Sequence, residues 1–144
     1  RGVLEDFQLT EVEILELSPF RWEGFWDGAV TIASAMTAWA CVVQHDGKQY
    51  AIGGVDGQPG AQLIAITGDR LQAMASADDY LREHGDKDAA RKSKRWLHEP
   101  PSEKQYQLLN ITPMSSSGMT KYRAACALTW KWREKAIRSR VLAI

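Results

Sequence analysis

Lys131, Lys135 and Arg138 follow one another at four- and three-residue steps, a spacing that puts three cations on one face of a helix. A second basic run, Ala89-Ala90-Arg91-Lys92-Ser93-Lys94-Arg95-Trp96, sets four positive charges beside an aromatic ring, and Lys104 and Lys121 lie further along. Rows of Lys and Arg suit phosphates, because each phosphate they neutralise releases condensed counterions. A ring beside them stacks on an unpaired base, which contributes about 1–3 kcal/mol per base. The residues singled out for contact with nucleic acid are therefore Arg91, Lys92, Lys94, Arg95, Lys104, Lys121, Lys131, Lys135 and Arg138, with Trp96 as the stacking ring.

No residue pattern carries catalysis. The glycine-rich run Gly53–Gly60 is not followed by a helix signal, so it reads as a turn and not as a phosphate-cradling loop. Cys41 and His45 sit on a strand about 13 Å apart, too far to share a metal, and no Cys-x-x-Cys or His-x-x-x-His pattern exists. Asp78 and Asp79 diverge on a helix, and they and Glu11, Glu13 and Glu16 read as solvated faces. Ser115-Ser116-Ser117 reads as linker. The expectation is a non-enzymatic chain with no metal and no cofactor of its own.

Charge is divided along the chain. Residues 1–69 hold three Lys/Arg against ten Asp/Glu, a net −7, and residues 70–144 hold fifteen against eight, a net +7. Such asymmetry fits either a polyanion partner or two halves that attract each other. No stretch approaches the roughly 18 apolar residues that span a bilayer, so no membrane partner is expected. Cys41 and Cys126 are too few for a disulfide framework and read as free, buried thiols in a reducing, cytoplasmic compartment. The start, Arg1-Gly2-Val3, has no signal-peptide pattern and no initiator Met, and the chain reads as a fragment of a longer one.

The positioning elements follow from periodicity. Residues 10–17 alternate acidic and apolar, 28–35 form an apolar run, and 38–44 and 49–53 flank Asp46-Gly47, the strongest hairpin signal in the sequence. Residues 62–67 make a further strand. Helices begin after Asp69, with Gln72 at the third helical position, and after Ser102, with Gln105 there, both in the capping-box pattern. Residues 86–97 read as helical, and Thr120 caps a long last helix over 121–141. In that helix Leu128 and Trp132 mark one apolar side and Cys126, Trp130, Ile137 and Val141 another, so Trp130 and Trp132 both read as core. Trp22, Trp26 and Trp39 read as core or interface. The predicted architecture is one α+β domain over 1–144, mainly β to residue 68 and mainly α from 69. It consists of an N-terminal antiparallel sheet of about four strands followed by about four helices.

Three stretches carry a resemblance. They are Ser18-Pro19-Phe20-Arg21-Trp22, the hairpin from Trp39 through Asp46-Gly47-Lys48 to Gly53, and Gly68-Asp69-Arg70-Leu71-Gln72 with Ala77-Asp78-Asp79-Tyr80-Leu81-Arg82. They resemble the C-terminal region of bacterial and phage superfamily II DEAD/DEAH-box helicases. Ser102-Glu103-Lys104-Gln105 and Met119-Thr120-Lys121 are similar to helix starts appended to such helicases. The resemblance implies an accessory domain that grips or guides nucleic acid, DNA before RNA, beside the ATPase lobes of a parent helicase. The rival reading is a protein-docking module that uses the acidic sheet half, with Trp22 and Trp26 beside Glu23 and Asp27.

Overall fold

The computed structural model describes residues 18–86, 88, 91, 95–115 and 118–142, with the backbone alone for 95 and 96. Five strands, β1 (Glu23–Phe25), β2 (Val30–Ser34), β3 (Ala38–His45), β4 (Lys48–Val55) and β5 (Gln62–Thr67), form one antiparallel sheet in sequence order. Helices α1 (Arg70–His84), α2 (Glu103–Leu109) and α3 (Lys121–Leu142) follow, with a 3-10 turn at Arg95–His98. The fold is thus the expected α+β arrangement, with one more strand among the described residues than the sequence announces. The predicted strand over 10–17 lies outside the described residues, as does most of the predicted helix over 86–97.

Each junction has a local cause. Asp46 and Gly47 take φ of 52° and 74°, the left-handed pair a two-residue hairpin needs, and His45 pairs with Lys48 across it. Asp69 caps α1 by accepting the Leu71 N–H, but Gln72 turns to the Thr67 hydroxyl instead of closing the box. Around α2 the box is complete: Ser102 accepts the Gln105 N–H and the Gln105 side chain takes the Ser102 N–H. The unannounced β1 is paired to β2 through a turn at Trp26-Asp27-Gly28, whose φ angles are 52°, 54° and 85°.

The strand period of two distributes residues between two cores. Ala33, Ala38, Ala40, Val42 and Ala51 meet α1 on one face, through Ala73, Met74, Ala77 and Leu81. Val30, Ile32, Trp39, Cys41, Tyr50 and Ile52 meet α3 on the other, through Tyr122, Cys126, Trp130, Ile137 and Val141. The molecule is a three-layer α/sheet/α sandwich. A register shift between β4 and β5 opposes Ala51 to Ala65 but Ile52 to Leu63. The extra residue, Ile64, therefore joins Ala65 against the α1 core although the two are sequence neighbours.

Asp78 is corrected by the structure: it is 5% exposed, not solvated. Its carboxylate accepts the Ser18 hydroxyl and the Trp22 indole N–H (3.4 Å) on one oxygen, and the Arg82 guanidinium (2.7 Å) on the other. The residues behind the family resemblance thus tie the segment before β1 onto α1.

Both cysteines are free and buried. Burial pushes the Cys126 thiol up to about 12. Burial, and then Cys126 beside it, holds the Tyr122 phenol well above its usual range, and burial raises the Cys41 thiol as well. Tyr122 is fastened by accepting the Ser34 N–H at 2.9 Å. These groups keep their protons in the folded chain where the unfolded chain releases them, above about pH 8.5–10. Their contribution to stability is complete below that range and is lost as pH rises toward the folded values. The urea midpoint is therefore expected to fall steadily between pH 8.5 and 10.5; a level midpoint would show that these groups are not buried.

Candidate nucleic-acid interface

Helix α3 starts just after Thr120, whose hydroxyl accepts the Arg123 N–H at 3.1 Å, and its 22 residues run for about 33 Å. Three of its arginines turn back to the sheet half. Arg123 donates to the Gly24 carbonyl (3.0 Å) with its guanidinium 4.1 Å above the Phe25 ring. Arg133 donates to the Gln58 carbonyl (2.7 Å) and lies 4.0 Å from Asp56. Arg140 donates to the Ala61 carbonyl (2.6 Å). These cations are used inside the fold, as carbonyl clamps between the last helix and the loops of the sheet.

A different stripe of α3 holds Ala124, Leu128, Lys131, Lys135, Arg138 and Leu142, at alternating four- and three-residue steps. Its first part is buried, at Ala124 and Leu128, and its later part is exposed. Helix α2 packs on α3, and the Lys131 ammonium donates to the Leu108 carbonyl (2.6 Å) at the end of α2. One N–H of three is spent there, so the charge still faces outward. Lys135 is exposed and has no hydrogen bond or ion pair among the described residues. Arg138 pairs with Glu134 at 2.6 Å through Nε, which leaves its terminal nitrogens. Lys131, Lys135 and Arg138 line one shallow concavity with Glu134, Ser139 and Leu142.

The other nominated residues stand apart from that row. Lys121 lies 3.7 Å from Glu99 at the start of α3, roughly 15 Å along the axis from Lys131. Arg91 is exposed and pairs with Asp88 at 3.5 Å. Lys104 is exposed on α2. Lys92 and Lys94 lie outside the described residues, and Arg95 and Trp96 are described as backbone of the 3-10 turn.

Two readings of the tryptophans change. Trp132 is 62% exposed, so the core reading holds for Trp130 and fails for Trp132, which projects on the far side of α3 from the sheet. Trp22 is buried with its indole N–H spent on Ser18 and Asp78, which removes it from any docking patch. Trp26, in contrast, is 62% exposed at the β1–β2 turn. Its ring meets Trp130 at 5.7 Å and Phe25 at 5.8 Å between centroids. It borders a groove of about 460 Å³ between the sheet and the later half of α3, lined also by Val30, Val43, His45, Trp130, Glu134, Arg138 and Leu142. Sequence reasoning left this groove unseen, although Asp27-Gly28 is a turn signal that would have set Trp26 at a hairpin tip.

Among the described residues no group of His, Cys, Asp or Glu is placed to hold a metal ion, and no helix is long and apolar enough to cross a membrane. No curated protein and no solved structure matches the chain. The family described as the C-terminal domain of the mitochondrial helicase Irc3 matches residues 3–143, nearly the whole length. With the Ser18–Asp78–Arg82 tie, the Asp46-Gly47 hairpin and the Ser102–Gln105 box all in place, the chain belongs to this family of helicase C-terminal domains.

Proposed function

We propose that this domain is a non-catalytic grip for nucleic acid, DNA before RNA, working beside the ATPase lobes of its helicase. The supporting observation is the division of labour on α3: Arg123, Arg133 and Arg140 are consumed by the sheet half, whereas Lys131, Lys135 and Arg138 stay together on the outer side. In this reading those three take phosphates, Lys104, Lys121, Arg91, Lys92, Lys94 and Arg95 make further phosphate contacts, and Trp96 is a second candidate stacking ring. The domain needs no cofactor for this role.

Fluorescence anisotropy of the 144-residue chain with a labelled single strand and a labelled duplex, at two salt concentrations, tests the reading. Wild-type binding is expected to weaken steeply with salt. The double reversal Lys131→Glu with Lys135→Glu should weaken binding to both forms and make the log–log salt slope shallower by about 1 per lysine. Unchanged affinity and slope would remove those two residues from the interface.

A further inference from the structure

Trp26 occupies a costly position. Its φ of 52° is left-handed, a conformation that bulky side chains avoid, and more than half of its surface faces water. A turn built only for shape would place Gly or Asn there. Exposed, strained residues held firmly by their neighbours are a signature of binding positions. Trp26 is held by its contacts with Trp130 and Phe25, and the Ala29 N–H donates to its carbonyl at 3.1 Å.

The groove beneath Trp26 shares part of its wall with the cation row. Glu134, Arg138 and Leu142 line both the groove and the Lys131–Lys135 concavity, so α3 forms one bank of the first and the floor of the second. A volume of about 460 Å³ lies within the usual range for concave ligand sites, about 300–1,000 Å³. An occupant matched to both parts carries a flat apolar group and a negative charge a few ångströms away. We infer that the groove is a stacking subsite for one unpaired nucleobase, which lies on the exposed surface of Trp26 while its backbone phosphate follows Arg138 and Lys135. The base cannot enter between the two indoles, because Trp26 and Trp130 already touch. Intact duplex presents no free base face, so the subsite selects single strands or strand junctions. This inference rests on the nucleic-acid reading above and adds to it a strand preference and a residue, Trp26, outside the basic track.

The test compares Trp26→Ala, Trp26→Gly and Trp26→Phe in the 144-residue chain, titrated against labelled oligothymidine and a blunt duplex of matched length. Trp26→Ala is expected to weaken single-strand binding by about 5- to 150-fold, leaving the duplex affinity and the salt slope unaltered, since a ring releases no counterions. Trp26→Phe should recover most of the loss. Trp26→Gly removes the ring and relaxes the left-handed backbone, so it should lose the same binding without melting below Trp26→Ala. Single-strand affinity that stays at the wild-type value in Trp26→Gly overturns the inference and leaves the groove to a protein partner. An equal loss on both nucleic-acid forms overturns it too. If the wild-type chain binds neither form, the proposed function and this inference fall together; salt-dependent binding that ignores Trp26 sinks the subsite alone.

Discussion

Exchange of Asp78 for alanine is expected to lower the unfolding free energy by about 3 kcal/mol. The carboxylate is the acceptor of the buried Ser18 hydroxyl and shares the Trp22 indole N–H with the Ser18 oxygen, so its loss strands the hydroxyl and loosens the indole. A buried donor left without an acceptor costs about 1–3 kcal/mol. The ion pair with Arg82 contributes less, because the arginine side chain is 44% exposed. In urea the midpoint should move down by roughly 1–3 M at unchanged m, given a usual slope of about 1–3 kcal/mol/M. Asp78→Asn keeps an acceptor for Ser18 and should cost less than half as much. An alanine variant that unfolds within about 0.5 kcal/mol of wild type would show that the tie is ornamental.

Exchange of Gly54 for valine is expected to cost about as much by the opposite route, excess volume. Gly54 sits directly opposite Trp39 in the β3–β4 register, and the indole lies flat over it. A Cβ there would stand 2.6 Å from the Trp39 indole nitrogen and 2.7 Å from two ring carbons. Trp39 is buried between sheet and α3, so the ring cannot yield without disturbing the layer above it. Overpacking of this kind costs about 1–3 kcal/mol, and the branched side chain sets the figure at the upper end. For a chain of this length that corresponds to a melting point lower by roughly 10 °C. Gly60→Ala is the matching control: no atom lies within 4 Å of its added Cβ, and its melting point should stay near wild type. A Gly54→Val chain that melts with the control would mean that Trp39 does not lie over Gly54 as described.

The parts of this molecule that sequence revealed are those fixed by neighbouring residues. Asp46-Gly47 located a hairpin because a two-residue turn needs left-handed backbone that these types tolerate. Ser102 and Gln105 located a helix start because the capping bonds close within three residues. The face of α3 carrying Cys126, Trp130, Ile137 and Val141 followed from helical period alone. What stayed hidden depends on distant partners. Asp78 looked solvated because the groups that bury it, Ser18 and Trp22, lie some sixty residues earlier. Trp132 and Trp130 are two residues apart and equally apolar, and only the position of the sheet decides which is covered. The candidate site was legible in the same proportion: the Lys131, Lys135, Arg138 row is a helical spacing, whereas the Trp26 groove exists only once β1 has folded back beside α3.

The layer order also sets a timetable for synthesis. Strands β1 to β5 and helix α1 are contiguous in the chain, so one side of the sheet is covered almost as soon as it forms. The opposite side, with Ile32, Trp39, Tyr50 and Ile52, waits for residues 122–141. At about 5–20 residues per second the ribosome delays the α3 cover of that surface for on the order of 4–15 s after β5 emerges. A nascent chain in that interval lacks the α3 layer over an aromatic-rich sheet face, and a transcript truncated before α3 would lack it permanently. Chaperone demand and loss of solubility should therefore track the arrival of the last helix more closely than any other event in the life of the domain.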